Sequence, residues 1–308
     1  MSALDAIGNT PIVRLDRLVD SGAAKNSTAE IWVKLESANP TGSYKDRMAL
    51  SMIEAAERDG RLSPGQTVVE YTGGSTGSSL AFVCAIKGYP LRIVSSDAFA
   101  VEKVRTMQAF GAEVELIPSP AGITPELIPA MVRRAQQITE ETGAFWVNQL
   151  HNVDMLEGYR RLGEELLDQV QGISAFCSYV GTAGCFLGTT RALVTKLPQL
   201  RRVVVEPAES PVLSGGKPGT HQIEGGGIGS RPPLLSEADF DEVIAVATAD
   251  AFAMARGVAR TEGIFSGPST GANLTAAVQL ARRLGPGHRV VTVQVDSGLK
   301  YLGGTLYT

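Results

Sequence analysis

From residue 67 onwards the chain alternates between short apolar runs and stretches of helical periodicity, with glycine at many of the junctions. That alternation leaves few folds open, because strands separated by helices pair in parallel and need helices on both faces of the sheet. An apolar run over 67–71 leads to a helical stretch over 77–87 closed by Gly88. A run over 91–95 and a helix near 101–109 stopped by Gly111 come next, then a strand near 113–117, a long helix near 125–141 and a short strand over 145–147. These are consecutive right-handed βαβ units. The second half repeats the style, with a helix near 154–170, strand 174–180, helix 187–197, strands 202–206 and 242–246, two helices between 248 and 284, and strand 289–295. It predicts a second parallel sheet. The Gly, Pro and Ser-rich stretch over 207–236 is too long for an ordinary connection and reads as a functional loop. Ligands are expected where strand ends and helix starts converge, in the crevice between two domains.

Charge and composition narrow the function. Twenty-eight Lys plus Arg against 32 Asp plus Glu give a net charge of -4, and the arginine pairs at 133–134, 160–161, 201–202 and 282–283 are scattered without interleaved aromatics. Neither suits a nucleic-acid groove. Cys84, Cys177 and Cys185 show no CxxC spacing, which argues against a disulfide framework and for a reducing compartment. His151, His221 and His288 form no HExxH, so no metal site is expected. The amino terminus lacks the basic start and apolar core of a signal peptide, and no apolar run reaches membrane-spanning length. A cytoplasmic protein acting on small molecules is the expectation, with no nucleic-acid or membrane partner.

Four stretches carry chemistry. Residues 31–60, IWVKLESANPTGSYKDRMALSMIEAAERDG, read as a strand, a turn over 39–42 and a helix from Tyr44 with Met48, Met52, Ile53 and Ala56 on one face. Ser43 is then the expected N-cap and Lys45 lies in the first turn, where the helix dipole disfavours an ammonium and favours a nucleophilic amine. Read by itself, Lys45 fits a solvated lysine at a helix start better than a nucleophile. YTGGSTGSSLA, residues 71–81, follows a strand and opens a helix, so its backbone N–H groups and the Thr72, Ser75 and Thr76 hydroxyls can cradle a carboxylate, though tight βα turns are often rich in Gly and Ser. VGTAGCFLGTTRAL, residues 180–193, has the same form and lacks both the P-loop ending and GxGxxG, which counts against ATP and against a nicotinamide dehydrogenase. A single phosphate still fits there. In VVTVQVDSGLKYL, residues 290–302, Asp296 and Ser297 stand just past a strand's carboxyl end.

The order of these stretches resembles the cysteine synthase and cystathionine β-synthase family of fold type II pyridoxal phosphate enzymes. The resemblance runs from Ile7-Gly8-Asn9-Thr10-Pro11 through 39–47, Asn148-Gln149, 221–229 and 262–271 to 296–302. It implies an α/β protein of two domains, each a mostly parallel twisted sheet flanked by helices, like the tryptophan synthase β chain. The smaller, mobile, substrate-binding domain is then 39–150, with 1–10 packed nearby; 11–38 and 151–308 form the larger cofactor-binding domain. Carried over residue by residue, Lys45 is the Schiff-base lysine and the catalytic residue. Thr72, Gly73, Ser75 and Thr76 hold the substrate α-carboxylate with Gln149 across the cleft, and Gly226 lies in the loop 225–229 bordering the site. Gly181, Thr182, Ala183, Gly184 and Cys185 hold the cofactor phosphate, Ser75 stands near the cofactor's ring hydroxyl, and Ser297 meets the pyridine nitrogen.

The implied reaction is β-replacement on O-acetylserine or O-phosphoserine through an aminoacrylate, giving cysteine or a related amino acid, in a homodimer. Serine or threonine dehydratase-type β-elimination and a catalytically silent scaffold are the alternatives. The chain stops shortly after Tyr301-Leu302, which closes the family's core, so no appended regulatory domain is expected. Departures bear on the substrate. The family's usual Thr-Ser-Gly-Asn-Thr-Gly loop here has Gly73 for the Ser and Ser75 for the Asn, and Ala183 and Cys185 replace the usual Gly and Thr of the phosphate loop. A roomier carboxylate loop follows, and with His221 and Arg231 near the cleft mouth it predicts a β-leaving group or nucleophile that is bulkier or more anionic than acetate and sulfide.

Overall fold

The structure, a computed structural model, describes residues 2–17, 27–120, 122, 124 and 126–308. Strand β1 (Ile12–Arg14) pairs antiparallel with β2 (Glu30–Leu35), and α1 (Lys45–Arg58) follows. Next come β3 (Val68–Tyr71), α2 (Ser75–Lys87), β4 (Leu91–Ser96), α3 (Val101–Ala109), β5 (Glu113–Ile117), α4 (Leu127–Thr142) and β6 (Phe145–Trp146). The remainder is α5 (Met155–Gln169), β7 (Ala175–Tyr179), α6 (Gly184–Val194), β8 (Arg201–Pro207), β9 (Glu242–Val246), α7 (Thr248–Thr261), α8 (Pro268–Leu284) and β10 (Arg289–Gln294). The expected start of α4 at residue 125 lies outside the described residues.

Two sheets result. One runs β5-β4-β3-β6 and is wholly parallel; the other runs β1-β2-β10-β7-β8-β9 and is parallel except for β1 at its edge. All residues of β3 and β7 are buried, as continuous apolar runs covered on both faces require. On α1, Met48, Met52, Ile53 and Ala56 are fully buried. Helices α5 and α6 approach closely because a Cβ on Gly163 would meet the Thr189 carbonyl at 2.7 Å, and one on Gly188 the Leu156 carbonyl at 2.6 Å.

Two local expectations need correction. Helix α1 starts at Lys45 with Tyr44 in the cap position, so Ser43 is not the N-cap; its hydroxyl instead accepts from the Lys45 amide at 3.2 Å. Helix α6 spans Gly184–Val194 and not 187–197, because the backbone turns helical directly after Ala183, held at φ 65°, and its last apolar residues unwind into a tight turn.

Long-range backbone bonds bring the strand ends together. The Tyr44 amide donates to the Val295 carbonyl and the Ser297 amide to the Gly42 carbonyl, both at 3.0 Å, so the turn before α1 is stitched to the segment after β10. Asp46 closes that turn by accepting from the Thr41 amide and hydroxyl at 2.8 and 2.5 Å. The Gly227 amide donates to the Val180 carbonyl at 3.1 Å, which carries the 207–236 stretch to the end of β7.

Behind α1 lies a buried ionic cluster. Arg47 donates to Glu36 at 2.7 and 2.8 Å and to Glu165 at 2.7 and 2.8 Å, while Lys34 reaches Glu165 at 2.6 Å and the Thr10 carbonyl at 2.6 Å. Burial alone would raise Glu165, yet Arg47 and Lys34 hold its carboxyl down at about 2. The amides of Gly8 and Asn9 bond Asn39 and Glu165, which fastens the amino-terminal segment to the same cluster.

Candidate active site

Lys45 is 8% exposed, and its ammonium lies 4.9 Å from the Tyr44 ring centroid, with no salt bridge among the described residues. Burial lowers its pKa to about 8, against an opposing pull from Cys185 and Asp296. The helix start therefore does not account for the shift: desolvation dominates, and it comes from packing that the sequence does not show.

Two turns with unpaired amides are linked to this amine: Cys185 of one acts on it directly, and Asp296, which also acts on it, accepts from Ser75 of the other. In the first, at the end of β3, Thr72 donates its amide to Val94 and its hydroxyl accepts from Gly74 at 3.1 Å. The amides of Gly73, Ser75 and Thr76 make no hydrogen bond among the described residues. Thr76 donates its hydroxyl to Gln149 at 2.7 Å, and Gln149 in turn donates to the Tyr71 carbonyl at 3.1 Å, so the Gln149 side chain is oriented against this turn. Beneath it, Glu70 accepts from the Tyr71 and Gln149 amides at 2.8 and 3.0 Å, and burial pushes its carboxyl up to about 8.

The second turn lies at the end of β7 and is buried throughout 181–185. Thr182 accepts from the Gly184 amide at 3.3 Å, whereas the amides of Thr182, Ala183, Cys185 and Phe186 have no partner among the described residues. Ala183 sits at φ 65°, a conformation that normally selects glycine. A Cβ on Gly181 would lie 2.5 Å from the Gly225 carbonyl, and one on Gly226 2.4 Å from the Val180 carbonyl, so the loop 225–229 is pressed onto this turn. The Cys185 thiol is buried and pushed up to about 12, which leaves it a protonated wall atom.

From the first turn a polar chain runs to the segment after β10. Ser75 donates to Asp296 at 3.3 Å, Lys300 donates to Ser75 at 3.1 Å, and Tyr301 donates to Asp296 at 2.7 Å. Burial raises Asp296, with Lys300 and Lys103 opposing, and one of its oxygens has no partner among the described residues. Ser297 accepts from the Leu299 amide at 3.3 Å, which leaves its proton free to point elsewhere.

Lys103 and Glu224 carried no sequence signal and meet here at 2.5 Å, with Lys103 also 4.5 Å from the Tyr301 ring centroid. Phe99 is equally unexpected: it packs on Gly73, so the roomier loop expected there is filled by its ring. His221 bonds the Gly227 carbonyl at 2.9 Å and props up the 225–229 loop, while Arg231 pairs with exposed Glu237 at 3.2 Å. A groove of about 940 Å³ between α5 and α6, lined by Leu156, Arg160, Leu167 and Arg191, touches none of the site residues. No cluster of His, Cys, Asp and Glu among the described residues could hold a metal, and no described helix is long and apolar enough to cross a membrane.

Residues 3–296 match the family described as pyridoxal-phosphate dependent enzyme. The chain is 42% identical to a cysteine synthase of Staphylococcus aureus over 305 residues, covering 98% of this chain and 95% of that protein. Among solved structures, O-acetyl serine sulfhydrylase isoform 3 from Entamoeba histolytica superposes with a TM-score of 0.92 at 35% identity, over 99% of this chain and 91% of that one. The O-acetylserine dependent cystathionine beta-synthase from Helicobacter pylori gives 0.92 at 32% identity, over 100% and 99%.

Proposed function

We infer, for a chain that belongs to the pyridoxal-phosphate dependent enzyme family, a β-replacement enzyme of the cysteine synthase type. It takes an O-activated serine, O-acetylserine or O-phosphoserine, exchanges the β-substituent for a nucleophile, and releases cysteine or a related amino acid. The observation that carries this reading is Lys45: a buried amine with its pKa lowered to about 8, acted on by Cys185 of one turn with unpaired amides and by Asp296, which accepts from Ser75 of the other.

These residues fit the cofactor. The free amides of Thr182, Ala183, Cys185 and Phe186, at the start of a helix, suit a phosphate, and no side chain could replace Gly181 without striking Gly225. Ser297 offers a neutral hydroxyl for the ring nitrogen and Ser75 a hydroxyl for the ring oxygen. Pyridoxal phosphate, when bound, supplies the electron sink for negative charge at the substrate's α-carbon.

The protein's share is binding and proton transfer. Lys45 would hold the cofactor aldehyde. Once free, its amine would serve as the base that removes the substrate's α-proton and later returns it. The Gly73, Ser75 and Thr76 amides with the Thr72 and Thr76 hydroxyls hold the α-carboxylate. Gln149 positions Thr76 and Gly226 borders the site, so the α C–H bond is held in one orientation. Ser297, a neutral hydroxyl, would not force protonation of the ring nitrogen, which would favour loss of the β-substituent over transamination.

The same reading includes closure of 39–150, with 1–10 packed nearby, against 11–38 and 151–308, a homodimer, and a cytoplasmic location supported by three free, buried cysteines. Borohydride reduction followed by peptide mapping tests it, with label expected on Lys45; label on Lys34 or Lys300 defeats the assignment. Product analysis with O-acetylserine and sulfide should show cysteine, and pyruvate without any added nucleophile would mean the dehydratase-type reaction instead.

A further inference from the structure

The glycine at position 73 has a counterpart in space. A Cβ built there would lie 2.3, 2.4 and 2.5 Å from three carbons of the Phe99 ring, so the ring rests on the glycine's α-carbon and no side chain fits between them. Gly74 is covered from the same segment: a Cβ there would meet Lys103 Cδ at 3.4 Å and Nζ at 3.5 Å. Phe99 stands just before α3 and Lys103 in its first turn, so one short stretch roofs two consecutive residues of the carboxylate turn. The roof is fastened at both ends. Phe99 packs with the apolar cluster that contains Val69, Tyr71 and Val94, and Lys103 is 4% exposed and tied to Glu224.

We propose that Phe99 is a specificity-determining residue of the β-replacement, filling the space a side chain at position 73 would take and presenting an aromatic wall to the β-substituent and the incoming nucleophile. The proposal rests on the assignment of 72–76 as the carboxylate turn. A hydroxyl at position 73 would offer a donor and an acceptor; the ring offers neither, and gives dispersion contact to carbon instead. A thiol with an apolar or aromatic body gains contact area against this wall, whereas sulfide is too small to gain any. The selected class of second substrate is therefore a thiol carrying such a body.

Initial rates with O-acetylserine and either sulfide or phenylmethanethiol test this in the cofactor-loaded wild type, Phe99→Ala, Phe99→Leu and Gly73→Ser/Phe99→Ala. The kcat/KM ratio of phenylmethanethiol to sulfide should fall about tenfold in Phe99→Ala, the order expected for apolar contact alone, and less in Phe99→Leu. Thermal melting of the cofactor-free chain gives a second readout: Gly73→Ser alone should lower Tm, and adding Phe99→Ala should restore much of the loss. A ratio unmoved in Phe99→Ala, or a Gly73→Ser protein as stable as wild type, overturns the proposal. A wild type that turns over neither nucleophile, with O-acetylserine or with O-phosphoserine, overturns the proposed β-replacement and this inference with it.

Discussion

Glu36 and Arg47 face each other in the interior through two hydrogen bonds of 2.7 and 2.8 Å, with side chains 0% and 3% exposed. Two residues after Lys45, the chain thus commits a guanidinium to a carboxylate that has no water to fall back on.

Arg47→Ala should destabilise the protein by about 3–5 kcal/mol, because it strands Glu36 as a buried unpaired charge. Urea unfolding of the cofactor-free chain measures this, and Glu36→Gln in the same background should recover part of the loss. Acid adds a second signature. Glu165 is held well below its ordinary range, so its contribution is full above about 4.5 and disappears as the pH falls towards about 2. Arg47→Ala should flatten that acid limb.

Lys45 gives the opposite pH behaviour. Its folded pKa of about 8 lies below the ordinary 10.5, so between those values the unfolded chain binds more protons than the folded one and stability rises with pH. Below about 8 the buried ammonium costs stability, up to about 3 kcal/mol for a shift of this size. Lys45→Met should therefore stabilise the cofactor-free chain at pH 7, with the advantage shrinking as pH approaches 10.5. Chemical denaturation at several pH values checks it; a constant difference would place the ammonium in solvent.

On the proposed assignment of 181–185 to the cofactor phosphate, Cys185→Ser should change cofactor affinity by no more than about 1 kcal/mol, since backbone amides would hold the anion and the buried thiol only lines the turn. Ala183→Gly should raise stability by about 1 kcal/mol by relieving the left-handed backbone at φ 65°. Equilibrium titration of the cofactor and melting curves separate the two effects.

Gln149→Leu removes the acceptor of Thr76 and the donor to Tyr71. The carboxylate turn should lose its orientation, with kcat/KM for O-acetylserine down about 10- to 100-fold, in line with about 1.4–2.8 kcal/mol of lost transition-state binding. Cofactor affinity should hardly move, because the phosphate turn lies elsewhere. Steady-state kinetics beside a cofactor titration would show whether the two turns are independent.

The order of strands and helices was legible because apolar runs and glycine junctions mark them directly, and most boundaries agree within two or three residues. The turns at 72–76 and 181–185 were legible for the same reason: each is a strand, a glycine-rich bend and a helix start in immediate succession. What escaped sequence reading are meetings between distant elements. Nothing in the neighbourhood of Phe99 announces that its ring will lie on Gly73, and nothing around Lys103 announces Glu224. Reasoning from the helix start gave the right direction for the Lys45 pKa with the wrong cause, since burial by Tyr44 and its surroundings is a property of the packed chain.

The pairing of β2 with β10, and of the Tyr44 amide with Val295, also has a consequence for the order in which the protein can be assembled. As the chain leaves the ribosome, β2 has only β1 for a neighbour, and the lysine-bearing turn has nothing to lean on until Val295 has been made. β2 waits through nearly the whole of synthesis with one edge unpaired, a period in which chaperones have an evident substrate. The parallel sheet formed by β3, β4, β5 and β6 needs no such delay, since all four strands emerge together. On the proposed role of Lys45, capture of the cofactor is then a late event, and a ribosome-released chain truncated before β10 should carry the lysine and yet fail to retain the coenzyme.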